Sequence, residues 1–245
     1  MKAKIVFFII FILLLLNCSS ERAVRILILS GNNNHDWKRT TPLIQETLAR
    51  NLDCTIDITE RPDTINALIL KSYDVILSNW NAWPDLKDQW NPEAKQTFED
   101  FIKRGGGFLC VHAASSTHYD WEPYLEIAGG RWGDKTHHGS VDDFTVVMVN
   151  REHPITKGLN AFTIKDELWV DQEFSLSAEV LCAAKADEYK HSPDKLEPVA
   201  LITRFGKGRG FYLSLGHDTV AMSNPEWQKL LIRGAQWAAK KTIMN

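Results

Sequence analysis

Three short runs of aliphatic residues carry no regular polar alternation: VRILILS at 24–30, YDVILS at 73–78 and GFLCV at 107–111. A strand that is apolar on both sides has to be covered on both faces, the condition of a parallel sheet held between two layers of helix. Helical patterns fall between these runs. Thr41 and Pro42 open one that reaches about Asn51, and PEAKQTFEDFIKR at 92–104 places Ala94, Phe98, Phe101 and Ile102 on one face before a stop at Gly105. A strand at 55–58 and a short helix at 63–70 complete the alternation, which implies right-handed crossovers.

The second half reads differently. Strands are predicted at 144–149, 166–170, 180–184, 199–205 and 210–215 with few helices between them, FGKGRG at 205–210 as a hairpin turn, and a closing helix at 225–240. The expected fold is α/β: a flavodoxin-like three-layer sandwich with an antiparallel β extension.

Residues 1–18, MKAKIVFFIIFILLLLNC, join two lysines to an apolar run too short for an ordinary membrane span. They resemble a lipoprotein-type signal in which Cys18 is lipidated, and Asn17, in place of the usual small residue, leaves plain secretion or an uncleaved anchor open. Residues 19–245 then form one exported domain at the periplasm or cell surface, attached to the membrane by its lipid alone. A net charge of −3 from 28 basic and 31 acidic residues, with no long block of either sign, argues against nucleic acid as a partner. Cys54, Cys110 and Cys182 are odd in number and sit in apolar stretches, so they read as packing residues.

Open parallel sheets bind ligands beyond the carboxyl ends of their strands. The first strand delivers Asn32, Asn33, Asn34, His35, Asp36 and Trp37 to that edge, and the third delivers Asn79, Trp80 and Asn81. The fourth delivers His112, followed by small residues that let a ligand come close, and FYLSLG delivers His217 and Asp218. His112 and His217 are the catalytic candidates, with Asp218 as a carboxylate able to orient an imidazole. Asn34, His35, Trp37, Asn79, Trp80, Trp121 and Trp132 are candidate substrate contacts, and Trp83 falls among the same loop tryptophans, because indole faces suit the C–H faces of sugars. His137 and His138, with His35, His112 and His217, offer imidazoles for zinc or a similar divalent ion, although no HExxH occurs and solvated loop histidines are the commoner explanation for the adjacent pair. Gly31 stands alone where a Gly-x-Gly-x-x-Gly fingerprint would be needed, so no nicotinamide cofactor is expected.

Five segments in order, RILILSGNNNHDW, RGGGFLCVHAA, HPITKGL at 153–159, DELW at 166–169 and YLSLGHD at 212–218, resemble the ThuA-like (trehalose utilisation) family. That family is similar in fold to class I glutamine amidotransferases, which carry a nucleophilic cysteine at a Gly-x-Cys-x-Gly elbow. No such elbow occurs here and Cys110 lies inside its apolar run, so glutaminase activity is not expected. The resemblance places His112 near the lost nucleophile and His217 at the old catalytic histidine, and DELW adds Asp166 and Glu167 as acid/base candidates. It implies a small sugar or glycoside in 3-keto form, supplied by a partner sugar dehydrogenase. An imidazole could abstract a proton beside the ketone, leading to isomerisation, epimerisation, elimination or hydrolysis. The competing reading is a non-catalytic carbohydrate-binding lipoprotein with a degenerate amidotransferase-like pocket.

Overall fold

In β1 (Val24–Leu29) successive side chains diverge: Ile26 and Ile28 join one core, Leu27 and Leu29 another. The computed structural model describes residues 22–84, 90–185 and 195–243, so the segment 1–18 and Cys18 lie outside the described residues. After β1 come α1 (Trp37–Asn51), β2 (Cys54–Thr59), a 3-10 turn at Pro62–Thr64, α2 (Ala67–Leu70), β3 (Val75–Ser78), α3 (Pro92–Lys103) and β4 (Gly107–Val111). A 3-10 turn at His112–Ser115 leads to α4 (Glu122–Ala128), then β5 (Gly130–Arg131), β6 (His137–His138), β7 (Asp142–Met148) and β8 (Phe162–Asp166). The chain ends with β9 (Trp169–Val170), β10 (Glu173–Phe174), β11 (Glu179–Lys185), β12 (Leu196–Phe205), β13 (Gly208–Leu213), α5 (Thr219–Met222) and α6 (Pro225–Ala238).

Among the described residues nine strands form one sheet in the order β2-β1-β3-β4-β13-β12-β11-β7-β8. Pairing is parallel from β2 to β13 and antiparallel from β13 to β8, the expected sandwich with its extension. Ile44 and Leu48 of α1 and Trp227, Leu230 and Trp237 of α6 pack on one face. Phe98, Phe101 and Ile102 of α3 and Tyr124 and Ile127 of α4 pack on the other. No helix among the described residues is long and apolar enough to cross a membrane.

Several elements differ from expectation, three of them near the site or the second core. Helix α1 begins at Trp37, not Thr41, and Pro42 falls inside it; Asn79 Nδ2 donates to the hydroxyls of Thr40 at 3.0 Å and Thr41 at 2.9 Å, which anchors the early turn to β3. The strand expected at 166–170 is instead the end of β8 and the separate β9, because the Asp166 carboxylate folds back to accept the backbone N–H of Glu167 at 2.8 Å, Gly216 at 2.6 Å and His217 at 2.9 Å. Helix α4 has too few residues for its period to show, and Gly129 ends it in the left-handed region at φ +96°.

The second core encloses His118 among Trp80, Trp90, Trp121 and Tyr124. Burial first, and then Lys95, hold its pKa down at about 3. The unfolded chain, with an ordinary histidine value near 6.5, therefore binds more protons between those limits, and stability is lost as pH falls from about 6.5 towards 3. His118→Asn, which tolerates the left-handed backbone at φ +57°, should show a smaller loss of stability between pH 7 and pH 5 in urea titrations; equal losses in both proteins would reject this source of acid sensitivity.

Candidate functional site

The parallel pairing of β4 with β13 sets Val111 beside Leu213, so the next residues, His112 and Ser214, emerge together at the carboxyl edge. His112 turns sharply there, at φ +42°, a conformation uncommon for a residue with a side chain and concentrated at functional sites. Its Nδ1 lies 2.6 Å from the Ser214 carbonyl oxygen and must donate to it. That fixes the tautomer: Nε2 carries the lone pair. Nε2 is buried, has no hydrogen-bond partner, and faces the Glu167 Oε2 at 3.7 Å.

His35 is set by the asparagines between β1 and α1. Asn33 Nδ2 donates to the Asn79 carbonyl at 3.0 Å, which leaves Asn33 Oδ1 to accept the His35 backbone N–H at 2.9 Å and its ring Nδ1 at 3.1 Å. Asn81, wholly buried, donates to Asn34 Oδ1 at 2.6 Å and to the Ala113 carbonyl at 3.1 Å, joining the loops after β1, β3 and β4. Asn79 therefore lies beneath the site as a support.

Glu167 comes from the break between β8 and β9. Its Oε1 lies 2.9 Å from His138 Nδ1, and its Oε2 accepts the Trp169 Nε1–H at 2.9 Å and stands 3.4 Å from His217 Nδ1. The last separation, without hydrogen-bond alignment, is an electrostatic contact. Burial would raise the Glu167 pKa, but His217, His112 and Trp169 together outweigh it and hold it down at about 2. His217 is raised, first by Glu167. His35 is lowered to about 4, by burial and then by His217, and His112 is lowered by burial above all. Burial pushes Asp166 up to about 7 against its three backbone donors. The site is thus an anionic carboxylate ringed by imidazoles, with ring centroids 4.9 Å apart for His35 and His112, 4.6 Å for His35 and His217, and 5.7 Å for His112 and His217.

A cavity of about 270 Å³ opens above this ring, at the low end of the range for small-molecule sites. Trp83, Trp132 and Trp169 wall it, while His35, His138, Glu167 and His217 present their polar atoms, with Asn34 and Ser116 also in the lining. His112 stands behind that surface. Trp83 lines it as a loop tryptophan suited to sugar, whereas Ser116 and Trp169 were not among the expected contacts; the signal for Trp169 is its place two residues after Glu167, on the same side of an extended segment.

Other expected residues lie elsewhere. Trp80 and Trp121 are buried in the second core, and Trp37 lies outside the cavity with Lys38 Nζ 5.6 Å from its ring. Asp218 caps α5, accepting the N–H of Val220 at 2.8 Å and Ala221 at 2.9 Å. His137 and His138 pair with β9 and alternate, so that His138 meets Glu167 and His137 is exposed, its Nδ1 3.1 Å from the Lys135 carbonyl. Of the expected metal-binding imidazoles the structure brings together His35, His112 and His217, and adds Glu167 to them. Cys110 is fully buried with its thiol pushed up to about 12 by that burial, so it is inert.

The sequence profile of the ThuA family, described as trehalose utilisation, matches residues 25–238. A solved ThuA-like protein from Parabacteroides merdae superposes with a TM-score of 0.78 at 23% identity, covering 91% of this chain and 92% of its own. Another from Bacteroides uniformis gives 0.68 at 21% identity, covering 88% and 91%. A β-galactosidase from Bacillus circulans contains a similar fold, with a TM-score of 0.58 at 15% identity over 91% of this chain and 32% of the enzyme. No curated protein matches the chain in sequence.

Proposed function

The chain belongs to the ThuA family of trehalose utilisation, and from that premise we propose that its cavity holds a sugar unit bearing a keto group and moves a proton on the carbon beside it. The observation that carries this reading is the anionic Glu167 in contact with His138 on one oxygen and His217 on the other, within indole walls. A ketone acidifies the adjacent C–H bond, so the reaction needs a base for that proton and positive charge where the enediolate oxygen forms. His138 suits the first role: its Nδ1–H is held by the Gly139 carbonyl at 2.8 Å and by Glu167, leaving Nε2 with the lone pair. His217, whose pKa the neighbouring Glu167 raises, suits the second, with His112 packed behind it. Trp83, which is exposed, and Trp132 give apolar faces against which a sugar ring can lie, and the buried Trp169 braces Trp132 from behind, with ring centroids 4.9 Å apart at 90°.

A separate dehydrogenase would make the ketone, since Gly31 alone offers no dinucleotide site. We place the work outside the cytoplasm because of the lipoprotein-like segment 1–18. NMR of 3-keto-trehalose mixed with the purified protein should show new resonances that are absent with His112→Ala, and the product distinguishes isomerisation, epimerisation and elimination. A spectrum left unchanged by the parent protein would reject this substrate, and tight sugar binding without conversion would make the pocket a carbohydrate-binding site.

A further inference from the structure

We infer that His35, His112, His217 and Glu167 form a binding site for one divalent transition-metal ion of the zinc class. One ligand atom from each residue lies within 4.8 Å of the others, so small side-chain rotations bring all four within bonding distance of one point. Glu167 Oε2 is 3.7 Å from His112 Nε2 and 3.4 Å from His217 Nδ1, longer than the usual hydrogen bond of about 2.7–3.2 Å. Donors about 2.0–2.1 Å from a tetrahedral zinc ion stand roughly 3.3–3.4 Å apart, close to these separations.

The hydrogen bonds around the cluster point the same way. His112 Nε2 and His217 Nδ1 are buried nitrogens with no hydrogen-bond partner, an arrangement that costs free energy unless something accepts the lone pairs. The opposite nitrogens of two rings are tied to oxygen acceptors: His112 Nδ1 to the Ser214 carbonyl at 2.6 Å and His35 Nδ1 to Asn33 Oδ1 at 3.1 Å. This is the outer-shell pattern that orients a metal-binding imidazole and fixes its tautomer. Trp169 Nε1 and His138 Nδ1 hold the two oxygens of Glu167 in the same way. Three imidazole nitrogens with one carboxylate oxygen suit zinc and its first-row neighbours, and a substrate oxygen reaching in from the mouth of the cavity would have to join as a fifth ligand. Such an ion would supply the positive charge that the proposed reaction needs at the ketone oxygen. The site stands on its donor set alone, and its test is read without sugar.

The full-length chain, stripped with EDTA and dialysed against Zn²⁺ alone, should retain one equivalent by elemental analysis. His112→Ala and His35→Ala should each weaken zinc binding in calorimetry by about 100-fold or more. His137→Ala, exposed and outside the cluster, should bind as the parent does. Circular dichroism of each variant separates loss of the site from loss of the fold, and His35→Ala, on a half-buried loop, provides the test if His112→Ala does not fold. Parent protein that retains no stoichiometric zinc, or a folded His35→Ala that binds as tightly as the parent, would overturn the inference. Zinc binding without conversion of the keto-sugar would leave the metal site standing and reject the reaction; conversion by a parent protein that retains no zinc would leave the reaction standing and overturn the metal site.

Discussion

Glu167→Gln is expected to slow turnover of the oxidised sugar by about 100- to 10,000-fold, or roughly 3–5 kcal/mol of barrier, while the protein still folds. The substitution keeps the shape of the side chain, and an amide oxygen can still accept the Trp169 Nε1–H. What it removes is the negative charge that His112, His138 and His217 all face, at 3.7, 2.9 and 3.4 Å. Without it His138 loses the anion that steadies its Nδ1–H, and the cluster loses its only anionic donor. The loss should fall on kcat, since the contacts that hold the sugar against the indoles are untouched. A folded variant with a kcat within about threefold of the parent would remove Glu167 from the chemistry.

Trp227→Ala should lower stability by about 3–5 kcal/mol, because the indole is completely buried and its removal opens a cavity in the core. In a domain of this size that corresponds to a melting temperature lower by roughly 10 °C. The loss reaches the site as well. Trp227 Nε1 donates to the Leu215 carbonyl at 3.0 Å, and the backbone of Gly216, at φ +114°, lies so close to the ring that a Cβ there would stand 3.1 Å from it. The indole is therefore the floor under the turn that aims His217. Differential scanning calorimetry checks the first effect, and kcat measured well below the lowered transition checks the second. A shift of less than about 3 °C would show that the neighbouring core repacks.

The doubly covered strands were legible because burial on both faces writes an unbroken aliphatic run, as in β1 and β4. The loops that converge on the site were legible from strand polarity, since parallel strands put their following residues at one edge; His35, His112 and His217 follow from that rule. The carboxylate's surroundings were less legible. Asp166 breaks the chain between β8 and β9 by binding backbone N–H groups 50 and 51 residues away, and no local pattern encodes such a partner. Trp80 and Trp121 read as loop residues beside polar neighbours, yet they close the second core around His118, because a loop that crosses a helix layer can be buried without being periodic. His137 and His138 could be separated only once their strand pairing with β9 was known.

The wiring of His112 has a consequence for how the protein comes into being on the folding pathway. Its tautomer lock is the carbonyl of Ser214, 102 residues further along, and that carbonyl arrives only when β13 has zipped onto β4. Contacts of such sequence separation close late, after the loop entropy has been overcome. A nascent chain with its first four strands in place would hold His35 and His112 near one another but have neither the lock nor Glu167. Chemical competence should therefore be the last thing this chain acquires.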